Sequence, residues 1–131
     1  MSLYDRYKKE IAEEVKIDAF NIKDVAMLAP SKKHFWAARL NDHRIEIQDL
    51  KSKKAKIIRA LVEKADQNSP VKLSKVNLEK MVEDMPEIQD LDSKIKEQEN
   101  VITYLEDERW TFSKLTEDIK NVIEIMKLEQ L

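Results

Sequence analysis

The sequence predicts an all-α protein in which two long helices form an antiparallel, coiled-coil-like hairpin, accompanied by short N-terminal and connecting helices. The 131 residues include no glycine, where average usage would give about nine, and only three prolines. Over two long stretches, apolar residues recur at alternating steps of three and four, which is the heptad spacing of helices that pack along one another. We therefore expect one elongated helical domain spanning residues 1–131.

The missing residue types also exclude several kinds of site. Without glycine, the chain lacks the phosphate-binding loops of the GxGxxG and GxxxxGK[ST] types. Without cysteine, it has no disulfide, no thiolate nucleophile and no cysteine-based zinc site. No apolar run approaches the roughly 18–20 residues of a membrane span, and the N-terminus has no signal-peptide apolar region. These features predict a cytoplasmic protein with no membrane contact.

Residues 1–29 are predicted to form a short helix and a linker. Apolar residues spaced four apart predict a helix over residues 3–15, and they are Leu3, Tyr7, Ile11 and Val15. Asp18 is a candidate cap for the segment that follows. Residues 17–29 are apolar without a clean period, so we interpret them as a loop or a short helix packed on the body of the protein.

Residues 30–66 are predicted to form the first, basic long helix. Pro30 opens it with Ser31 as the N-cap, and no helix-breaking sequence follows before Asn68-Ser69-Pro70. Its heptad seam consists of Trp36, Leu40, His43, Ile47, Leu50, Lys54, Ile57 and Leu61. About 36 residues at 1.5 Å per residue give a helix of roughly 54 Å.

Residues 67–86 are predicted to form a connector, and residues 87–131 the second, acidic long helix. Ser74 caps a short helix that runs through Met85, and Pro86 ends or kinks that helix. The second heptad seam consists of Ile88, Leu91, Ile95, Gln98, Ile102, Leu105, Arg109, Phe112, Thr116, Ile119, Ile123 and Met126. About 44 residues would span roughly 66 Å.

The length of the two predicted helices governs how they pack. A compact domain of this size has a radius of about 14 Å, so the helices must lie along each other, along another copy of the chain, or both. The connector is long enough to reverse direction, which favours the hairpin. The polar seam residues Lys54 and Arg109 can set register and oligomer state, and for Arg109 the alternative is an ion pair with an acidic residue of a facing helix. Trp110, Leu115 and Val122 lie off the second seam, and their additional apolar surface predicts a homo-oligomer.

Charge is distributed unevenly along the chain. Residues 1–64 carry 15 Lys and Arg against 10 Asp and Glu, whereas residues 65–131 carry 9 against 16. The most basic segment, residues 32–59, has a net charge of +6 and suits a phosphate backbone. A solvated helix face, or salt bridges to the acidic half, is the alternative interpretation. The candidate nucleic-acid-binding residues are Lys32, Lys33, Arg44, Lys51, Lys53, Lys54, Lys56 and Arg59.

Two aromatic residues, Phe35 and Trp36, lie near the start of the same basic helix. In this position they either stack on nucleic-acid bases or belong to the hydrophobic core. Trp36 lies on the predicted seam, which favours the core for this residue.

The sequence offers no candidate catalytic residue, metal site or cofactor site. His34 and His43 are nine residues apart, which places them on opposite faces of one helix, so they cannot share a metal ion within it. Carboxylate pairs such as Glu13-Glu14 are typical of a solvated helix face, and nothing in the sequence indicates a pocket around them. We therefore predict that the protein is not an enzyme.

Four segments, taken in order along the chain, carry a resemblance to a known family. They are Ile17-Asp18 with Asn21-Ile22, the helix start PSKKHFW at residues 30–36, the basic stretch KKAKIIRAL at residues 53–61, and the stretch from Leu91 through Tyr104-Leu105-Glu106 to Glu124. With these segments, most of the chain resembles the UvsY family, the recombination mediators of T-even-like phages.

The resemblance implies a helical, ring-forming oligomer that binds single-stranded DNA and helps a recombinase to displace the single-strand-binding protein. Such a phage protein would act in DNA recombination and repair in the host-cell cytoplasm. Lys56 and Arg59 match the basic pair of the family motif best, with Lys53 and Lys54 beside them. The paired tyrosines and glycine that commonly follow this motif are absent. The alternative function is a coiled-coil structural or adaptor protein that does not bind nucleic acid.

Overall fold

In the computed structural model, which describes residues 2–130, the chain forms four α-helices and no β-strand within that range. The helices are α1 (Leu3–Glu14), α2 (Ile22–Asn68), α3 (Lys75–Glu83) and α4 (Pro86–Glu129). The predicted all-α fold class is confirmed. Across this part of the chain, every helix is too short or too polar to cross a bilayer.

Helix α1 matches its predicted range to within one residue. The Ser2 hydroxyl accepts a hydrogen bond from the backbone N–H of Asp5 at 3.1 Å and donates one to the Asp5 carboxylate at 2.7 Å. The bond from the hydroxyl lowers the pKa of Asp5 below its ordinary value. Tyr7 and Ile11 are buried, so the four-residue apolar spacing marks the packed face of this helix.

Helix α2 begins at Ile22, eight residues earlier than predicted. Asp18 Oδ1 accepts hydrogen bonds from the backbone N–H groups of Phe20 and Asn21, at 2.8 and 2.9 Å. Asn21 Oδ1 in turn accepts one from the N–H of Asp18 at 2.8 Å. These bonds satisfy backbone donors that the start of a helix leaves open. Asp18 therefore caps the segment that follows, as its position suggested.

The prediction that Pro30 opens this helix with Ser31 as its cap is wrong. Pro30 lies inside α2, and the Ser31 hydroxyl donates a hydrogen bond to the Leu28 carbonyl at 2.9 Å, as serines within helices do. A proline inside a helix removes one backbone hydrogen bond. Ala29 belongs to the hydrophobic core and Val25 packs against it, which favours continuation of the helix through Pro30 because tertiary packing supplies most of the stability of a helix.

The connector contains α3, and its cap is the one predicted. Ser74 Oγ accepts a hydrogen bond from the backbone N–H of Asn77 at 3.3 Å. Helix α3 ends at Glu83, two residues before the predicted end at Met85. Pro86 does not kink this helix but is the first residue of α4, where the missing N–H is not needed by the helix.

The helix ends show how a chain without glycine stops its helices. The residues that cap the ends of α1 and α3, Val15 and Asp84, both keep right-handed backbone angles. Within residues 2–130, no residue has a positive φ. The chain therefore has no position in this range that requires glycine.

The chain divides into two compact units. The terminal unit combines residues 1–42 with residues 100–131, and the central unit is residues 43–99. The buried core of the terminal unit consists of Tyr7, Ile11, Ala29, Trp36, Leu40, Val101, Leu105, Phe112, Leu115 and Ile119. The buried residues of the central unit are His43, Ile47, Leu78, Val82, Ile88, Leu91, Ile95 and Gln98.

The predicted seam of α2 agrees with the observed burial. Its first four members are buried, namely Trp36, Leu40, His43 and Ile47. Its last four are half-buried, namely Leu50, Lys54, Ile57 and Leu61. The heptad spacing therefore identified the packed face of this helix.

Every member of the predicted α4 seam is buried up to Gln98, but only some are beyond it. Leu105, Phe112 and Ile119 are buried as predicted, whereas Arg109 and Thr116 are exposed. Val101 and Leu115, which lie off the predicted seam, are buried as well. Two successive three-residue steps, from Ile95 to Gln98 and from Gln98 to Val101, shift the buried stripe around the helix. Arg109 therefore does not set register, and Leu115 is core rather than surface for another copy.

Candidate nucleic-acid interface

The eight candidate binding residues all lie on α2, but the structure divides them between the two units. Lys32 and Lys33 belong to the terminal unit, and the other six belong to the central unit. Their surroundings differ as much as their positions, because some are paired with carboxylates and others face solvent.

Lys32 is engaged in the packing of the terminal unit. Its Nζ lies 3.0 Å from Glu14 Oε1, and the Glu14 side chain is only 13% exposed. Glu14 Oε2 also accepts a hydrogen bond of 2.6 Å from the indole N–H of Trp36. Lys32 thus neutralises a nearly buried carboxylate, whereas its neighbour Lys33 is exposed.

Lys54 lies on the seam and contacts the acidic half of the chain. Its Nζ is 2.5 Å from the Asp92 carboxylate of α4, within the central unit. The Lys54 side chain is 30% exposed, so its charge is shared between this ion pair and solvent. For Lys54, the structure therefore agrees with the alternative interpretation, in which a basic residue forms a salt bridge to the acidic half of the chain.

Four further cations form what we call the exposed basic segment: Lys51, Lys53, Lys56 and Arg59. All four side chains are exposed. Arg59 Nε donates a 3.4 Å hydrogen bond to the Ala55 carbonyl of its own helix. Within residues 2–130, none of the four forms an ion pair. Arg44, about two helical turns upstream of Lys51, is also exposed.

The exposed basic segment has a regular spacing. Lys53, Lys56 and Arg59 follow one another at steps of three, so they form a ridge with about 4.5 Å between successive residues along the helix axis. No acidic residue occurs between Lys51 and Arg59. A row of solvated cations of this kind attracts phosphate groups by charge, without reading a base sequence.

The two aromatic residues near the start of the basic helix have different environments. Trp36 is 4% exposed, so its ring belongs to the core and is not available for stacking on a base. Phe35 is 40% exposed. The Arg39 guanidinium lies 4.2 Å from the centroid of the Phe35 ring and 5.0 Å from that of Trp36. One face of Phe35 is therefore already occupied by a cation.

The histidines do not form a metal site in the described structure. His43 Nδ1 lies 2.7 Å from Gln98 Oε1, and both side chains are buried. His34 is exposed. Among residues 2–130, no group of three or more His, Cys, Asp and Glu side chains is arranged to hold a metal ion.

The sequence analysis missed one cation that the structure adds to this region. Lys96 of α4 lines the same open groove as Lys51 and Lys54 of α2, in the central unit. Lys96 lies in the acidic half of the chain, where a count of net charge does not draw attention to individual lysines. Only a register between α2 and α4 would have pointed to it.

Comparison of the chain with protein-family models, with curated proteins and with solved structures finds no match. The resemblance to the UvsY family therefore stays a prediction.

Proposed function

We propose that the protein binds single-stranded DNA through the exposed basic segment of α2. The observation that carries this proposal is that Lys51, Lys53, Lys56 and Arg59 are all exposed and free of ion pairs within the described residues. If these cations served only to neutralise the acidic half of the chain, carboxylates would lie beside them, as Asp92 lies beside Lys54. Their solvated charge is instead open to phosphate groups.

We further propose that the protein acts as a mediator that helps to load a recombinase in phage DNA recombination and repair. This step rests on the resemblance to the UvsY family, which also supplies the proposed partners: a recombinase, a single-strand-binding protein and further copies of this chain. In this proposal the protein works without a cofactor or catalytic residue, in the host-cell cytoplasm.

The proposed arrangement of the two long helices is an antiparallel hairpin. Two contacts inside the central unit support it, because His43 of α2 meets Gln98 of α4 and Lys54 of α2 meets Asp92 of α4. The residue numbers fall on α4 as they rise on α2. In such a hairpin, Lys56 and Arg59 lie on the side of α2 that faces away from the seam, whereas Lys51 lies at the edge beside α4.

A coiled-coil adaptor that does not bind nucleic acid is the second candidate function. The observation that favours it is the apolar surface of α4, where Trp110 is 66% exposed and Leu128 is 68% exposed. Leu128 and Ile125, which is 55% exposed, lie three residues apart on the helix surface and are neighbours there. Exposed apolar side chains of this kind can supply contacts for a partner helix.

Direct binding separates the two candidates. We expect a fluorescein-labelled oligothymidine to gain anisotropy on addition of the protein, and the double variant Lys56→Ala/Arg59→Ala to bind more weakly with unchanged helical circular dichroism. If the wild-type protein shows no binding at about 50 mM salt, where phosphate contacts are strong, the DNA-binding proposal is wrong. The mediator role is tested by whether the protein restores recombinase activity on DNA covered by a single-strand-binding protein.

A further inference from the structure

An open groove of about 510 Å³ lies between α2 and α4 inside the central unit. It is lined by Lys51, Lys54, Asp92, Ile95, Lys96 and Glu99. The groove therefore brings one lysine of the acidic half next to two lysines of the basic helix. It adjoins the exposed basic segment, because Lys51 belongs to both.

The charges of the groove are only partly neutralised. Asp92 is paired with Lys54 at 2.5 Å. Neither Lys51 nor Lys96 forms an ion pair with another residue in the range 2–130, and both are exposed. Glu99 is the remaining carboxylate of the lining. Three ammonium groups against two carboxylates leave a net positive site in which two cations have no bound counterion.

We propose that this groove is a phosphate subsite of the DNA interface, in which Lys96 of α4 and Lys51 of α2 bind one backbone phosphate from opposite sides. The proposal rests on the proposed function and adds a second helix to the binding surface. It also assigns a role to Asp92, which competes with the phosphate for Lys54. Ion pairs between partly exposed side chains contribute little stability, so a phosphate can displace this carboxylate.

The chain offers a matched control for Lys96. Lys94 lies on the same helix and is exposed, but it is paired with Asp90 at 3.3 Å and is not part of the groove lining. Replacement of either lysine by glutamine removes one positive charge from α4. A general effect of net charge on DNA binding is therefore equal in the two variants, and only a local contact separates them.

The first measurement is the affinity for labelled oligothymidine as a function of salt. We expect Lys96→Gln to weaken binding by about fivefold, the loss of one exposed charge contact, and to reduce the salt slope by about 0.7. We expect Lys94→Gln to change the affinity less than twofold. Equal effects of the two substitutions would overturn the assignment of Lys96.

The second measurement concerns the competition by Asp92. We expect Asp92→Asn to tighten binding and to steepen the salt slope, because Lys54 is then free for the phosphate. Asp90→Asn, which removes the same charge outside the groove, should tighten binding less. In the double variant Asp92→Asn/Lys54→Gln the gain should disappear. A gain that persists in this double variant, or that Asp90→Asn reproduces, would contradict the proposed competition.

The outcomes separate this inference from the proposed function. If the wild-type protein does not bind the oligonucleotide, both are wrong. If it binds, and Lys56→Ala/Arg59→Ala weakens binding while Lys96→Gln behaves as Lys94→Gln does, the proposed function stands and the groove is not a subsite. Inorganic phosphate, compared with chloride at equal ionic strength, shows whether the groove takes free phosphate too. Stronger competition by phosphate in wild type than in Lys96→Gln supports the subsite, and equal competition opposes it.

Discussion

The indole N–H of Trp36 donates a hydrogen bond of 2.6 Å to the carboxylate of Glu14, which joins α2 to α1 in the terminal unit. The same carboxylate pairs with Lys32 at 3.0 Å. Trp36 and Lys32, which both lie near the start of the predicted basic helix, are thus held by the Glu14 side chain of α1. This contact places Lys32 and Trp36 in the packing of α1 against α2.

Removal of the Glu14 carboxylate should destabilise the protein. In Glu14→Ala the buried indole N–H loses its acceptor, which we expect to cost about 1–3 kcal/mol of the free energy of unfolding. Glu14→Gln keeps an acceptor oxygen and should cost less. Urea unfolding followed by helical circular dichroism measures both variants. If Glu14→Ala is as stable as wild type, the contact does not contribute to stability.

The corrected seam of α4 predicts opposite sensitivities at two neighbouring positions. Leu115 is 3% exposed, whereas Thr116 faces solvent. We expect Leu115→Ala to cost about 2–5 kcal/mol and Thr116→Ala to stay within about 0.5 kcal/mol of wild type. Thermal or urea unfolding compares them directly. If Thr116→Ala were the more destabilising of the two, the uninterrupted heptad seam predicted from the sequence would be correct instead.

The buried pair of His43 and Gln98 should behave as one unit. Replacement of His43 by leucine leaves the buried Gln98 side chain without this hydrogen bond, at a cost of about 1–3 kcal/mol, and Gln98→Leu breaks the same contact. The double replacement removes both polar groups, so its cost should be smaller than the sum of the single costs. A double-mutant cycle in urea measures the difference. Additive costs would show that the 2.7 Å contact contributes nothing.

The raised pKa of Tyr104 leads us to expect a loss of folding stability at high pH. Burial, together with the nearby Glu108 carboxylate and Tyr4, raises the pKa of Tyr104 from 10.0 to about 12. The folded protein therefore holds this proton more tightly than the unfolded chain does. The resulting stability is fully present below pH 10 and is lost as the pH rises towards 12.

The variant Tyr104→Phe isolates this effect, because it differs from wild type only in the Tyr104 hydroxyl. We expect the free energy of unfolding of wild type to fall more steeply between about pH 10 and 12 than that of the variant. Parallel curves for the two proteins would contradict the raised pKa.

Local signals in the sequence predicted much of the fold. The spacing of apolar residues located α1 and the seam of α2, and Ser74 identified the start of α3. The start of α2 was predicted wrongly at Pro30 because a proline is a strong local signal for a helix start. The packing of Val25 and Ala29 is a tertiary effect, which the local sequence does not show. The predicted α4 seam is wrong at Arg109 and Thr116 for the same reason, since the buried face beyond Gln98 depends on the partner helix.

The candidate site was predictable only in part. The exposure of Lys53, Lys56 and Arg59 follows from their angles relative to the α2 seam, which the sequence contains. The pairing of Lys32 with Glu14 and of Lys54 with Asp92 does not, because each needs a contact between helices. Charge counts alone treat all eight cations as equivalent, although only Lys32 and Lys54 of the eight are shown paired with a carboxylate of another helix.

The salt dependence of single-stranded DNA binding tests the central claim most directly. The variant to compare with wild type carries glutamine at all four positions of the exposed basic segment. Its control carries glutamine at four exposed lysines elsewhere, namely Lys9, Lys80, Lys120 and Lys127. Both have the same net charge, so general electrostatic attraction falls equally in the two.

We expect the salt slope for oligothymidine to fall by about 0.7 for each phosphate contact removed, or by about 3 for all four, in the variant of the exposed basic segment. The salt slope of the control should differ from that of wild type by less than about 0.7, the value for one phosphate contact. Equal slopes for wild type, variant and control would contradict the account, because binding would then not depend on these four side chains.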